Sequence, residues 1–125
     1  MRKLAAVTLL CCTLAGSALA AGYRNVTSGE ARRFLASHRN AYLLDVRTPE
    51  EFRQARLKGA VLIPVNEIER RYAEVPKNRP VVVYCAIGSR SSAAAGFLAT
   101  KGYREIYNMA DGIVGWYRNG YPLSR

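Results

Sequence analysis

The stretch from Pro80 to Thr100 constrains this chain most. Val81, Val82 and Val83 lead through Tyr84 to a lone Cys85, then to Ala86-Ile87-Gly88-Ser89-Arg90 and a small-residue run from Ser91 to Thr100. The β-branched run predicts a strand buried on both faces, and the Ser/Ala run predicts a helix. Between them the chain must turn within a few residues. Backbone N–H groups converge at such a turn, where the helix dipole is positive, so a sulfur placed there favours thiolate over thiol. These residues predict a nucleophile in an anion cradle. Its loop position makes Cys85 an exposed thiol, open to intermolecular disulfide formation on oxidation.

The N-terminus predicts the compartment. Arg2 and Lys3 precede an apolar run from Leu4 to Leu14, and Ser17-Ala18-Leu19-Ala20 ends in a small-x-small pattern. Residues 1–20 are expected to be a signal peptide cleaved after Ala20, giving a periplasmic protein. The apolar run, about 11 residues against the roughly 20 that span a bilayer, disfavours stable membrane insertion. Cys11 and Cys12 lie in it, but Leu10 stands where a lipoprotein signal requires a small residue. Residues 21–125 then form a single domain with one core. Cys85 becomes its only thiol, so an internal disulfide is excluded.

Loss of Arg2 and Lys3 lowers the net charge from +10 to +8. Such a field speeds encounter with small anions. The basic residues are spread along the chain rather than gathered in one block with aromatics between them, which argues against a nucleic-acid groove.

Strands and helices alternate along the rest. A strand is expected over Tyr23 to Val26, followed by a Thr27-Ser28-Gly29-Glu30 capping box and a helix to His38 with Ala31, Phe34 and Leu35 on one face. His38, the only histidine, has no partner at metal-ligand spacing and reads as a surface residue at the helix end. Ala41 to Val46 is the next strand, and Thr48-Pro49-Glu50-Glu51 opens a helix to Ala55 with Phe52 facing inward. A third strand covers Val61 to Ile63, and Asn66 is expected to cap a helix from Glu67 to Ala73. Arg104 to Asn108 predicts a fifth strand and Gly112 to Trp116 a last helix, ending at Asn119-Gly120. This alternation defines an α/β fold with a parallel sheet covered on both faces. Asp45 and Arg47, at the carboxyl end of a strand, fall at the edge where such sheets bind ligands and are expected to organise the neighbouring loops.

Four motifs carry a family resemblance: Leu44-Asp45-Val46-Arg47-Thr48-Pro49-Glu50-Glu51-Phe52; Lys58-Gly59-Ala60 leading to Ile63-Pro64-Val65; Tyr84-Cys85 through Ser91; and Asp111-Gly112 to Trp116 with Gly120-Tyr121-Pro122. In this order and spacing the chain resembles a single-domain rhodanese, and with its leader it is similar to the small periplasmic rhodaneses of the phage-shock type. The resemblance implies a five-stranded parallel sheet with helices on both faces. It implies transfer of a sulfane sulfur from a donor such as thiosulfate to cyanide or a thiol through a persulfide on Cys85. Arg90 would attract the anionic donor, and the backbone of Ala86, Ile87, Gly88 and Ser89 would line the cradle, with Gly88 easing the turn. Asp45 and Arg47 match supporting positions and Trp116 a core position; no metal or organic cofactor is implied.

Related phosphatases carry one more residue in this loop, whereas four residues separate Cys85 from Arg90 here. That spacing favours sulfur chemistry over a phosphatase or arsenate reductase. A low-turnover persulfide carrier or thiol-binding module serving an exported protein acceptor is the second reading, and an anion-binding domain the third. Two positions depart from the family pattern: Arg56 stands where many members have histidine, and Asp111-Gly112 where they have paired glycines.

Overall fold

The computed structural model describes residues 19–20 and 22–125. Most of the leader, with Cys11 and Cys12, lies outside the described residues. The strands are β1 (Leu19–Ala20), β2 (Tyr23–Val26), β3 (Tyr42–Asp45), β4 (Val61–Leu62), β5 (Val81–Tyr84) and β6 (Ile106–Met109). Their order is β1-β2-β6-β5-β3-β4. The last five are mutually parallel, as expected, and β1 adds a two-residue antiparallel edge, pairing Ala20 with Tyr23. That strand was not expected, because Leu19 and Ala20 read as part of the leader.

Both faces of the sheet are covered. On one, Leu44, Val81, Val83 and Ile106 pack with Ala94, Ala95 and Leu98 of α4 (Ser89–Thr100). On the other, Leu43, Val82, Tyr84 and Met109 pack with Ala31 of α1 (Ser28–Ser37) and with Ile113 and Trp116 of α5 (Gly112–Arg118). β5 is central and buried along its whole length, which explains its continuous apolar run. The alanines of α4 bring its axis close to the sheet, and the Tyr23 hydroxyl meets that of Ser92 at 2.6 Å.

Both expected capping boxes form. Thr27 and Glu30 satisfy each other's backbone N–H groups at the start of α1, and Thr48 and Glu51 do so at α2 (Pro49–Gln54). His38 ends α1 as an exposed residue stacked on Phe34. Phe52 is only half-buried, under the Arg56 guanidinium, because α2 buries no residue completely. The expected 67–73 helix breaks into a 3-10 turn (Val65–Glu67), α3 (Ile68–Arg71) and a second 3-10 turn (Tyr72–Glu74). Asn66 lies inside the first turn rather than capping it. This segment is held from outside instead, by the Tyr103 hydroxyl donating to the carbonyls of Tyr72 and Val75. None of the described helices is long and apolar enough to cross a membrane.

Candidate active site

The site is built where β5 hands the chain to α4. The helix starts at Ser89, two residues earlier than its sequence suggests, so Arg90 and Ser91 stand in its first turn. Gly88 makes the reversal with φ +102°, in the left-handed region that glycine adopts without strain. Gly88 offers no side chain to cap the helix, and the Cys85 sulfur takes that role. Sγ accepts the Gly88 N–H at 3.1 Å and the Ser91 N–H at 3.3 Å.

Cys85 is fully buried, not exposed as its loop position suggested. The early helix start folds Ser91 back over the sulfur and closes the sides of the cradle. Ser91 is the residue that sequence reasoning missed, and its spacing of one helical turn after Gly88 is the signal that would have found it. Its hydroxyl lies 3.3 Å from Sγ and 3.2 Å from the Gly88 carbonyl. A single hydroxyl hydrogen serves both acceptors, and ionisation of the sulfur draws it to Sγ. Burial pushes the Cys85 thiol up. The Ser91 hydroxyl and the amides of Ser91, Gly88 and Ile87 outweigh it and leave the thiol below its ordinary value. The amides of Ala86, Ser89 and Arg90 are not among the donors to the sulfur.

The remaining expected residues surround this cradle in two ion pairs. Asp45 is completely buried and binds Arg47 through 2.7 Å and 3.1 Å contacts to Oδ2 and a 3.0 Å contact to Oδ1. Arg47 also donates to the Ala55 carbonyl at 2.6 Å, so this pair ties the end of β3 to the end of α2. Arg90 does not stand free. Its guanidinium makes a two-pronged pair with Glu51 at 2.8 Å and 3.0 Å, and Glu51 is the second residue that sequence reasoning missed. The hydrogen bonds from Arg90, outweighing partial burial and aided by Thr48, hold the Glu51 carboxyl down at about 2. A cleft of about 380 Å3, lined in part by Arg47, Glu51, Ala86, Val114 and Tyr117, opens beside the loop.

The closing motif braces the loop from below. Ile113 and Val114, at the start of α5, donate to the carbonyls of Cys85 and Ala86 at 2.9 Å and 3.1 Å. Gly112 retains the left-handed turn with φ +64°, whereas Asp111 has ordinary helical dihedrals and needs no glycine. Its carboxylate instead accepts from the Ser28 hydroxyl at 2.7 Å. At the other departure, Arg56 pairs with the Ser124 backbone through bonds of 2.8 Å and 2.7 Å. Trp116 is buried as expected and donates its indole N–H to the Pro122 carbonyl at 2.8 Å.

A buried cysteine under convergent amides, at the switch between a central parallel strand and its helix, defines a class of α/β domains with a thiol cradle at the strand's carboxyl end. The rhodanese-like domain family matches residues 27–119, and the chain belongs to that family. It is 39% identical over 89 residues to a sulfurtransferase of Allochromatium vinosum, covering 71% of this chain and 83% of that one. It is 37% identical over 84 residues to the thiosulfate sulfurtransferase GlpE of Actinobacillus succinogenes, covering 67% and 76% respectively. The fold superimposes with a TM-score of 0.74 on a rhodanese-related protein of Thermoplasma volcanium, at 27% identity and over 82% of this chain and 98% of that one. Fold and sequence together place the chain among the rhodanese-like domains.

Proposed function

We propose that the protein moves a sulfane sulfur from a small anionic donor such as thiosulfate to a thiol or cyanide through a persulfide on Cys85. The observation that carries this reading is the sulfur itself, buried and unpaired, with two backbone amides and a hydroxyl aimed at it. The Cys85 thiolate attacks the outer sulfur of thiosulfate. A Cys–S bond forms, the S–S bond breaks with its electron pair, and sulfite leaves. An acceptor thiolate or cyanide then attacks the terminal sulfur of the persulfide and regenerates the Cys85 thiolate. Throughout, one negative charge stays on sulfur within reach of the Gly88 and Ser91 donors. One such donor contributes about 3 kcal/mol if it acts as strongly as an oxyanion-hole amide. The Ala86, Ser89 and Arg90 amides, not engaged by Sγ, line the space for the transferred atom.

The loop length supports sulfur over phosphate as the group handled. Export with cleavage after Ala20 belongs to the same proposal. It would remove β1 and leave the five parallel strands, with an exported protein as a sulfur acceptor.

The test is intact-protein mass after the reduced, desalted protein meets thiosulfate. The expected result is a gain of roughly 32 Da, one sulfur atom, that a thiol reverses and Cys85→Ala abolishes. Absence of any adduct with thiosulfate or a polysulfide would overturn the assignment. Steady-state turnover with thiosulfate and cyanide, set against single-turnover loading, separates an enzyme from a persulfide carrier.

A further inference from the structure

The charges around the cradle are paired with one another. Arg47 is neutralised by Asp45, at 2.7 Å in a nearly buried pair. Arg90, the cation nearest the loop's mouth in sequence, is neutralised by Glu51 through both carboxylate oxygens. Glu51 is itself anchored, since its Oε1 also accepts from the Thr48 N–H at 3.0 Å and the Thr48 hydroxyl at 3.1 Å. Three donors on one oxygen and a fourth on the other fix the carboxylate at the start of α2. The hydrogen bonds to the sulfur come from neutral donors, the Gly88 and Ser91 amides and the Ser91 hydroxyl. Such a set holds one negative charge well. Glu51 and Ala86 line the same cleft beside the loop, so a donor bearing two charges that enters there meets a fixed carboxylate, with Arg90 already engaged.

The net charge of +10 for the whole chain acts on every anion. Its carriers are dispersed, and salt screens them beyond about 8 Å. Charges in contact with the entering donor therefore decide between donors.

We propose that Glu51 is a positioning residue that holds Arg90 and sets donor selectivity, favouring monoanionic sulfane donors such as an alkyl persulfide over dianionic thiosulfate. The proposal rests on Cys85 acting as the sulfur acceptor and names the donor class of that site. With an alkyl persulfide, the Cys85 thiolate attacks the terminal sulfur. The new Cys–S bond forms as the donor's S–S bond breaks, the alkyl thiolate leaves, and the attack needs no second cation.

The experiment measures the rate constant for loading Cys85, by quenched intact mass, with thiosulfate and with an alkyl persulfide at matched pH. The full chain, Glu51→Gln and Glu51→Asp are compared. Gln keeps the capping acceptor at the third position of α2 and removes the charge, whereas Asp keeps the charge and shortens the tether. In Glu51→Gln the thiosulfate rate is expected to rise about tenfold and the persulfide rate less than twofold, with a steeper salt dependence for thiosulfate. In Glu51→Asp thiosulfate loading is expected to stay slow. Equal changes with both donors, or a fall in thiosulfate loading in Glu51→Gln, would overturn the proposal. If neither donor loads the unaltered protein, the persulfide reading itself fails and Glu51 is not at issue. A melting temperature for each variant shows whether a rate change reflects folding.

Discussion

Gly112 lies against the carbonyl of Ala86 so closely that a Cβ at Gly112 would overlap it. The reciprocal contact sets Gly88 against the Ala110 carbonyl, where a Cβ would again overlap backbone. The sulfur loop and the closing turn are therefore interlocked without side chains. Gly59 and Gly120 also have positive φ, but a Cβ at either meets open space. Gly59→Ala should cost about 1–2 kcal/mol, the left-handed penalty alone. Gly88→Ala and Gly112→Ala should cost at least twice that and slow Cys85 loading. Urea unfolding of the three variants tests this, and equal losses at all three positions would contradict the interlock.

Ser91→Ala removes the hydroxyl from the sulfur and leaves the backbone amide. Because that hydroxyl favours the thiolate, its loss raises the Cys85 pKa. The pH profile of Cys85 alkylation should shift upward, with little change in the plateau rate at high pH. Ser91→Thr, which keeps the hydroxyl, should recover part of the shift.

The Asp45–Arg47 pair is buried on both sides. Arg47→Met leaves Asp45 as an unpaired buried carboxylate and should cost about 3–5 kcal/mol. Adding Asp45→Asn to that variant should recover part of the loss, because the isolated charge is gone. Denaturant midpoints of the single and double variants measure the difference.

Glu51 has a folded pKa of about 2 against an ordinary 4.5. A depressed acid pKa stabilises the fold above the unfolded value, and that contribution is lost as pH falls from about 4.5 through 2. The pair with Arg90 is one-third exposed on both sides, so solvent screening limits it to less than about 1 kcal/mol. The stability difference between the parent and Glu51→Gln should be flat above pH 5 and shrink below it. A difference that widens on acidification would rule the linkage out.

Trp116→Phe keeps most of the ring and deletes the N–H that binds Pro122. It should cost about 1 kcal/mol through the hydrogen bond, with Cys85 loading unchanged. Thermal unfolding and the loading assay check the two halves separately.

The strand periods, both capping boxes and the Cys85 loop were legible in the chain. Each is a contest among neighbours: β-branched residues beside one another, a threonine three positions before a glutamate, a glycine at a tight reversal. The broken 65–74 segment was less legible, because Tyr103 holds it from 28 and 31 residues away. The start of α4 at Ser89 was also hidden, since no side chain caps it and the sulfur does.

By itself, then, the sequence determined the parallel α/β class and the thiol at its switch point, through steric and hydrogen-bonding rules that act over a few residues. The tertiary structure decided how that thiol is surrounded. Glu51 meets Arg90 across 39 positions and Ser28 meets Asp111 across 83, contacts that exist only once the sheet brings separate βα units side by side. The cysteine's chemistry depends on how far it is buried and on which charges beside it are already paired, and both are properties of packing rather than of order along the chain.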